Sequence, residues 1–514
     1  MKLRAKYLGL ETGGKPIVIL NKEDAEDLGI RSLGRVVLEF GRHKLTSIVD
    51  ITNKVVSKGS IGVSDTVKDF FKFKHGEEVE VNISSSPSSL QFIINKVKGR
   101  KLSYEELLEV VKDVVQGNLS EIEIAAFVTA LHLQGIDLDE AASLSRAMVE
   151  TGQTLNLSRK LIVDKHSVGG VPGDKTTILV VPIVAAAGLV IPKTSSRAIT
   201  SAAGTADRAE CLMPVNISIE EVKRVVDKTN GCIVWGGSFA LAPADDIFIQ
   251  VEYPLSIDPL LLPSIMAKKK AVGTNFLALD IPTGRGAKIK TIGDADILAK
   301  DFIILGKKVG INVQCALTYG EQPIGHTIGS ALEAKEALEV LMRIKNERDL
   351  IDKATHIAGL IFDMVGKKNG TQLALDILKS GSAEKKLREI IMMQGGDPEI
   401  KPEDIEIGSY GVDFESDRDG IVLWINNGGL VDIARAAGSP KYKGAGIILH
   451  KKLGDPVKKG EKLFTVYAEK DVKLEKVSKS LESSRVIGIG TRMEMLIHEV
   501  KEIETPHKRF ILER

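Results

Sequence analysis

The chain has 514 residues, which is too long for a single hydrophobic core, so several domains are expected. With 43% hydrophobic and 27% charged residues, its composition is that of a soluble globular protein. A net charge of +1 and only 4% aromatic residues argue against nucleic acid as the main partner, because such proteins need a basic face or aromatic stacking platforms.

The cysteines and the apolar runs indicate the cellular compartment of the protein. Cys211, Cys232 and Cys315 form no CxxC pair, which fits buried thiols in a reducing cytoplasm. The N-terminus lacks the apolar segment of a secretory signal, so we expect a cytoplasmic protein. The longest apolar run, residues 178–191, is too short to span a bilayer, so no membrane partner is expected. No cluster of His, Cys or Asp has ligand spacing, so no metal site is expected either.

Residues 1–84 predict a small β-rich module. The segments KPIVIL, RVVLEF and EEVEVNI have the β-branched content typical of strands. Between the first two, the sequence predicts a short helix that begins at Asn21 and ends at Gly29. The serine-rich run 84–89 predicts a linker, so this module is expected to be separate and able to bind a ligand, pack against a partner or oligomerise.

Residues 85–160 predict an all-helical domain. Ser103 with Glu106, and Ser120 with Glu123, have the spacing of capping boxes, and apolar residues recur at helical intervals after each. We expect a later segment near residues 245–272 to join this domain.

From 161 to 410 apolar strand-like stretches alternate with helical segments, which predicts a central, mostly parallel α/β sheet domain with ligands at the carboxyl ends of its strands. Residues 411–514 return to strands with Gly and Pro turns and predict a C-terminal α+β domain. The expected fold class is therefore a multidomain α/β protein made of the N-terminal β-rich module, the helical domain, the central domain and the C-terminal domain.

The segment KHSVGGVPGDKTT, residues 165–177, follows the apolar stretch 161–163 and precedes a long apolar helix. Its glycines can present bare N–H groups, and its lysines and hydroxyls can bind an oxyanion at the start of that helix. Asp174 separates Gly173 from Lys175, so the segment fails the Walker A pattern and an NTPase is disfavoured. A glycine-rich turn without a ligand remains the alternative from this segment alone.

A second donor-rich run, PKTSSRAITSAAGTADRAE at 192–210, also follows an apolar strand-like stretch. Its hydroxyls and Arg197 stand beside small residues that let an anion approach the backbone. Taken alone, the run could be a serine-rich loop that caps a helix. Two such loops at consecutive strand ends would converge on one anion, so together they favour ligand binding.

These two segments resemble the signature segments of the thymidine/pyrimidine nucleoside phosphorylases, and GGSFALAPADD (236–246) and SIMAKKKA (264–271) follow in that family's order. The resemblance covers roughly residues 95–500. The N-terminal module and the form SSRAIT resemble the archaeal branch of the family, the AMP phosphorylases. That branch cleaves a nucleoside 5′-monophosphate with phosphate, which implies AMP plus phosphate giving adenine and ribose 1,5-bisphosphate, with CMP and UMP as further candidates, in nucleotide salvage or degradation.

The resemblance also implies roles for individual residues. Asp258, in PLSID, is similar to the branch's proton donor, and His166 is similar to a histidine near the sugar. The ligands of the attacking phosphate would be Lys165, Ser167, Thr177, Ser195 and Thr205. The wider set of implied substrate contacts comprises Gly169, Ser195, Ser196, Arg197, Ala198, Ile199, Thr200, Thr205, Ser264, Lys268 and Lys288.

Two phosphates in one cleft bring about four negative charges, because the second pKa of a phosphate ester lies near 6. We expect Lys165, Lys175, Arg197 and Arg208 to balance them. The 5′-phosphate is assigned to Ser196, Arg197, the Ile199 N–H and Thr200, because enzymes that act on nucleosides need no such contact. The alternative role of Arg197 is a salt bridge to Asp207.

The chain departs from the family's pattern at three points. Glu252 stands where the nucleoside enzymes carry an arginine that contacts the pyrimidine, which puts pyrimidine recognition in doubt. Pro172 is inserted in the family's GGVGD, and the spacing from Asp258 to Ser264 is short. The alternatives kept open are a thymidine or pyrimidine nucleoside phosphorylase, an anthranilate phosphoribosyltransferase and a nucleotide-sensing module without activity. No cofactor is expected beyond inorganic phosphate as co-substrate, and a homodimer or larger homo-oligomer is expected.

Overall fold

The computed structural model describes residues 1–491 except 73, 85, 159–160, 199–200 and 483–485. None of the helices in this part of the chain combines the length and apolarity that a membrane crossing requires.

The N-terminal module is a closed barrel of six strands, which hydrogen-bond in the order β1-β5-β2-β4-β3-β6. The strands are β1 (Lys2–Tyr7), β2 (Ile17–Asn21), β3 (Arg35–Phe40), β4 (His43–Thr52), β5 (Ser60–Val63) and β6 (Glu78–Ile83), with helices α1 (Lys22–Leu28) and α2 (Asp65–Phe71) between them. Alternate residues of each strand point inward, as Val18 and Leu20 of β2 do, and fill the barrel. Helix α1 begins after the Asn21 cap and ends at Gly29, as the sequence predicts.

The helical domain begins with four helices: α3 (Ser89–Val97), α4 (Tyr104–Val115), α5 (Glu121–Gln134) and α6 (Leu138–Glu150). The expected capping boxes form at Ser103 with Glu106 and at Ser120 with Glu123, so both helix starts are where the sequence predicts them. The apolar stripes of α4 and α5, among them Phe127, face one shared core.

The central region alternates strands and helices. In chain order they are β7 (Val163–Ser167), α7 (Thr176–Ala186), β8 (Ile191–Ser195), α8 (Thr205–Ala209), α9 (Ile219–Thr229), β9 (Gly231–Trp235), α10 (Pro243–Leu255), α11 (Leu261–Val272), β10 (Phe276–Thr283), α12 (Ile292–Val309), β11 (Asn312–Tyr319), β12 (Thr327–Ile328), α13 (Ser330–Leu341), α14 (Arg348–Met364), α15 (Gly370–Lys379) and α16 (Ser382–Met393).

The central strands are parallel, as expected for this region. β11, β10 and β7 form one sheet and β8 and β9 another, and the isolated parallel bridge between Ile162 and Val190 joins β7 to β8. Helix α7, whose residues from Thr176 to Ala185 are all buried, packs between this sheet and the helices α14 and α16. The carboxyl ends of β7, β8 and β10 therefore meet at one edge.

Two helices of the central segment return to the helical domain. Phe248 of α10 packs on Phe127 of α5 with ring centroids 5.9 Å apart, and Leu260 and Ala267 lie in the same apolar core. The bundle is thus made from two separate stretches of chain, and its second stretch begins and ends beside the sheet.

The C-terminal region contains β13 (Tyr410–Glu415), β14 (Gly420–Ile425), α17 (Asn427–Ala437), β15 (Gly446–Leu449), β16 (Pro456–Val457), β17 (Lys462–Ala468), α18 (Val472–Glu482) and β18 (Ile487–Gly490). Its strands form antiparallel sheets, in the orders β12-β15-β17-β13 and β16-β14-β18. The short strand β12 belongs to the central region of the chain but pairs with β15, so it ties the C-terminal sheet to the central region. The architecture confirms the expected fold class.

One boundary differs from the sequence prediction. The sequence places a strand at 161–163 and starts the anion-binding loop at Lys165, but β7 runs from Val163 to Ser167. Lys165 and its two neighbours therefore lie on the strand itself, paired in register with β10, which holds them more rigidly than a loop would.

Candidate active site

The first of the two segments predicted to bind an anion lies where β7 turns into α7. Lys165 is buried, and its Nζ donates a 3.0 Å hydrogen bond to Oγ1 of Thr176, the first residue of α7. Gly169 and Gly170 have φ of +86° and +92°, a conformation that other residues rarely adopt. Thr177 is buried at the same helix start, so hydroxyls, the helix N-terminus and a lysine point into one small region.

The carboxylate of Asp174 is balanced by nearby cations, one of which comes from α14. Lys353 Nζ lies 3.6 Å from it and 2.7 Å from the buried Asp280. Burial by itself would raise the pKa of Asp174, but Lys353 and Lys165 outweigh it and hold that pKa far below its usual range. Asp174 is thus a charged partner of the lysines, and its charge is compensated inside the protein. Burial lowers the pKa of Lys165, although Asp174 and Asp280 oppose the shift.

Lys175 does not serve the anion, and here the sequence prediction is wrong. Its side chain is completely buried, and Nζ donates to the carbonyl of Ile324 at 3.0 Å and to the carbonyl and Oγ1 of Thr327 at 3.2 and 3.0 Å. It also forms an ion pair with Glu336. Every donor of this ammonium points away from the cleft, so Lys175 anchors the start of α7 to β12 and α13.

The second segment is folded around Asp207. This carboxylate accepts the N–H groups of Ala198 at 2.7 Å and Gly204 at 2.9 Å. A Cβ at Gly204 would lie 2.5 Å from the Ala198 nitrogen, so only glycine lets the loop close this tightly. Because its amide already has a partner, Ala198 offers no free N–H to a phosphate in this conformation.

Arg197 is engaged with acidic side chains rather than free. Its guanidinium donates to both carboxylate oxygens of Glu210, at 2.9 and 2.7 Å, and to Asp207 at 3.2 Å, and it lies 5.0 Å from the ring of Trp235. The hydrogen bond to Glu210 leads the causes that raise the pKa of Arg197. The alternative role weighed from sequence, a salt bridge to Asp207, is therefore present, while 35% of the side chain stays exposed.

Arg208 joins the two segments. It donates to the carbonyl of Asp174, and to the carbonyl of Ala203 at 2.8 Å, and its Nε lies 2.9 Å from Glu333. Its contacts are with protein acceptors in both segments and with Glu333, so Arg208 is a structural link, whereas the sequence analysis expected it to balance the phosphates. Its contacts nevertheless bring the two segments together, as the sequence predicted.

The remaining residues of the second segment lie at the mouth of the site. Ser195 ends β8 and donates its hydroxyl to the Val234 carbonyl at 3.0 Å, Ser196 is exposed, and Thr205 begins α8. Ile199 and Thr200 lie outside the described residues.

His166 is surrounded by lysines, two of which sequence reasoning missed. Burial lowers the pKa of His166 well below its usual value, and Lys269, Lys193, Lys165 and Lys268 add to the shift, so the imidazole is neutral. Lys269 and Lys193 share the buried Asp164, at 2.6 and 4.0 Å. Burial and the neighbouring Lys269 lower the pKa of Lys193 well below its usual value, although Asp164 opposes the shift. Both lysines stand inside the quoted segments, but nothing in the pattern marks them as inward-facing.

The bundle side of the site carries Asp258, Ser264 and Lys268. Asp258 is half-exposed and lies 3.2 Å from Lys288 Nζ. Lys288 is itself held against the first segment, since a Cβ on Gly170 would meet its backbone nitrogen at 2.5 Å. The structure therefore brings Asp258 and Lys288 to the anion-binding loops.

Helix α11 carries two further residues expected to contact the substrate, Ser264 and Lys268, and both are partly exposed. Lys268 Nζ lies 2.5 Å from the buried Asp245 of α10. Burial would lower the pKa of Lys268, but the charge of Asp245 raises it overall. Ser264, one turn earlier, has its backbone N–H bonded to Leu260 and its side chain partly exposed.

A group of metal-ligand type lies outside this site. Ligand atoms of His326, Glu336 and Glu347 lie within 4.8 Å of one another. Both carboxylates already contact Lys345, at 2.6 and 2.8 Å, and Glu336 also pairs with Lys175. The positive charge that a cation would supply there is provided by two lysines.

Three family models match the chain. They are the helical bundle domain of a glycosyl transferase family over residues 90–152, the α/β domain of the same family over 159–384, and a pyrimidine nucleoside phosphorylase C-terminal domain over 424–488. An anthranilate phosphoribosyltransferase from Thermus thermophilus shares the fold, with 21% identity, a TM-score of 0.50, and coverage of 59% of this chain and 98% of that one. The matched helical bundle and α/β domains thus define the chain as a transferase of the glycosyl transferase family.

Two curated relatives extend over nearly the whole chain. An AMP phosphorylase of Thermofilum pendens is 48% identical over 100% of both chains. An AMP phosphorylase of Pyrococcus furiosus is 49% identical over 95% of this chain and 98% of its own. The chain belongs to the AMP phosphorylase family.

Proposed function

We propose that this protein cleaves AMP with inorganic phosphate to give adenine and ribose 1,5-bisphosphate, with CMP and UMP as further candidate substrates, in nucleotide salvage or degradation. The observation that carries the proposal is the similarity to AMP phosphorylases over the full length of the chain, including the N-terminal barrel. The two anion-binding segments that meet beside Asp258 and Lys288 supply the chemistry that such a reaction needs.

The attacking phosphate binds at the start of α7. Lys165, Ser167, Thr177, Ser195 and Thr205 are its ligands, since they lie at the adjoining ends of β7 and β8 and at the starts of α7 and α8. A dianion there gains from the helix N-terminus and from the buried lysines near His166. The neutral imidazole of His166 can donate to or accept from a sugar hydroxyl without adding to the charge.

The 5′-phosphate binds the second segment, with Ser196, Arg197, Ile199 and Thr200 as its contacts. In the conformation described, Arg197 is paired with Glu210 and Asp207. Binding therefore requires the phosphate to replace a carboxylate on the guanidinium, whose planar fork suits either anion. Gly169 and Ala198 contribute only backbone atoms to the same binding region.

The leaving base takes its proton from Asp258. As the C1′–N bond breaks, its electron pair goes to the base nitrogen, and a positioned acid there contributes about 10²- to 10⁴-fold. A phosphate oxygen forms the new bond to C1′. Lys288 contacts the substrate, and Ser264 and Lys268 of α11 contact the base. Because these residues lie on the bundle side and the phosphate ligands on the sheet side, closure of the cleft excludes water that would compete with phosphate.

We further propose that the protein is cytoplasmic, needs no cofactor, binds no nucleic acid and forms a homodimer or larger homo-oligomer. The three free cysteines are consistent with a reducing compartment. The closed barrel of residues 1–83 has its own core, so deletion of residues 1–84 followed by light scattering tests whether it drives assembly.

The activity is tested by incubating the protein with phosphate and, separately, AMP, CMP, UMP, thymidine or uridine. Free base is followed by chromatography and ribose 1,5-bisphosphate by phosphorus NMR. We expect base release from AMP that depends on phosphate. Cleavage of thymidine or uridine with AMP untouched would instead make the protein a nucleoside phosphorylase, the alternative that the C-terminal domain model also fits.

A further inference from the structure

Asn427, the first residue of α17, belongs to the C-terminal region, but its side chain reaches the turn that carries Lys288. Its Nδ2 donates to the carbonyl of Gly320 at 2.9 Å and to the carbonyl of Gly286 at 3.3 Å. Only 1% of the residue is exposed. Gly286 follows β10 and Gly320 follows β11, so one buried amide joins the loops at the carboxyl ends of two neighbouring strands.

The contact between Asn427 and Gly286 is close. A Cβ on Gly286 would lie 2.5 Å from Nδ2 of Asn427 and 3.0 Å from its Cβ, so a side chain at position 286 would push the asparagine away. Both acceptors are carbonyl oxygens, which fixes the orientation of the amide, because its own oxygen would be repelled there. The position therefore requires a short side chain that donates hydrogen bonds.

The turn before Lys288 is closed by its own backbone. The Gly284 N–H donates to the Ile289 carbonyl at 3.0 Å, and the Ala287 N–H donates to the Gly284 carbonyl at 3.0 Å. These bonds set the shape of the turn, and the Asn427 amide fastens its outer side to the C-terminal region. The Lys288 side chain, 48% of which is exposed, thus projects from a backbone that a distant part of the chain holds in place.

Asn427 is itself held firmly. Helix α17 packs into the apolar core of the C-terminal region through side chains such as Leu430. The same region is tied to the central one by Lys452, whose Nζ donates to the carbonyl of Gly325 at 2.7 Å and to Asp349 at 2.8 Å. The amide of Asn427 therefore has a fixed place relative to the ends of the strands.

We propose that Asn427 is a positioning residue for Lys288 and that, through it, the C-terminal region sets the affinity for the nucleotide. The proposal rests on the proposed function, because that function makes Lys288 a substrate contact. Asn427 holds the backbone two residues before Lys288 and supplies no atom to the substrate. The C-terminal region then completes the substrate site instead of being a separate attachment.

The decisive variant is Asn427→Leu, which keeps a similar volume and removes the donor. We expect the KM for AMP to rise about tenfold, which corresponds to the net value of one or two hydrogen bonds. The KM for phosphate should stay near the wild-type value, because Lys165 and Thr177 lie on the other segment. The matched control is Asn426→Ala: its Oδ1 caps the same helix by accepting the Gly429 N–H at 3.0 Å, so stability should fall while both KM values stay unchanged.

A double variant separates positioning from a general structural role. Lys288→Met alone should raise the KM for AMP. Adding Asn427→Leu to it should raise the KM no further, because the residue through which Asn427 acts is already gone. Equal effects of Asn427→Leu in both backgrounds would overturn the proposal, and so would a wild-type KM for AMP in Asn427→Leu alone.

Hydrogen exchange without substrate tests the same contact independently of activity. The amides of Gly284 and Ala287 should exchange faster in Asn427→Leu and at the wild-type rate in Asn426→Ala, and unchanged exchange in Asn427→Leu would contradict the positioning role. If that variant folds poorly, Gly286→Ala displaces the same amide from the other side and should raise the KM for AMP similarly.

The two levels of the proposal fail differently. Absence of base release from AMP by the wild-type protein would overturn the proposed function and the role of Asn427 with it. Base release by the wild type together with an unchanged KM in Asn427→Leu would overturn the role of Asn427 alone.

Discussion

Replacing Lys175 with methionine separates a structural role from a ligand role. Methionine fills a similar volume but leaves Glu336, whose side chain is 1% exposed, without its closest cation. Loss of one partner of a buried ion pair costs about 3–5 kcal/mol, and the remaining contact of Glu336 with Lys345 puts this case at about 3 kcal/mol. The carbonyls of Ile324 and Thr327 each lose a donor, at about 1 kcal/mol apiece, so we expect about 5 kcal/mol in all.

The assay measures the two roles side by side. Urea unfolding and hydrogen exchange at α7 and β12 report stability, and steady-state kinetics report the KM for phosphate. We expect faster hydrogen exchange at α7 and β12 and a lower urea midpoint. The KM for phosphate should change by a smaller factor than the one to which the lost folding free energy corresponds. Normal stability with a KM for phosphate raised about a hundredfold would refute the reasoning and restore Lys175 as a phosphate ligand.

Two further variants complete that comparison. In Lys345→Met, Glu336 keeps Lys175 and Glu347 keeps His326, and the side chain removed is 37% exposed, so the loss should be smaller than in Lys175→Met. In Lys175→Met combined with Glu336→Gln, no unpaired charge is left, so part of the lost stability should return. No recovery in the double variant would mean that the ion pair is not the source of the loss.

Three more outcomes are expected. Gly170→Ala forces a Cβ to 2.5 Å from the Lys288 backbone nitrogen at a φ of +92°, so kcat/KM should fall at least tenfold and the unfolding midpoint should fall as well; wild-type activity would show that the two segments need not touch. Glu210→Gln removes a competitor for Arg197 and should lower the KM for AMP by up to about fivefold, as expected for a pair worth at most about 1 kcal/mol, whereas an unchanged KM would leave Arg197 a purely structural residue. Burial raises the pKa of Cys211 to about 12, so iodoacetamide at pH 8 should modify it far more slowly in the native protein than in urea, and equal rates would contradict its burial.

The helix starts could be read from the sequence because their causes are local. Ser103 and Ser120 each find a glutamate three residues later, and the resulting hydrogen bonds need no distant partner. The glycine-rich segment was recognisable for the same reason. The family's motifs then located Asp258 and Lys288, which the fold brings to 3.2 Å of each other although 30 residues separate them.

The errors came from partners that lie far away in the chain. Lys175 looks like a phosphate ligand until Thr327 and Glu336, more than 150 residues later, take its donors. Strand β7 was placed too early because a buried strand with three polar residues at its end does not have a strand's pattern. Glu252 stood out in the sequence only as a departure from the family's arginine, because its hydrogen bond to the Leu260 N–H depends on the conformation of the turn between them.

The helical bundle has a consequence for how the chain is made. Its first four helices leave the ribosome with an apolar face whose covering residues include Phe248 of α10, Ala267 of α11 and Leu260 in the turn between them. Those two helices are translated only after the first three strands of the central region. The apolar core of the nascent bundle therefore stays uncovered until α10 and α11 are translated. A chain that stops before Pro243 should need a chaperone or aggregate.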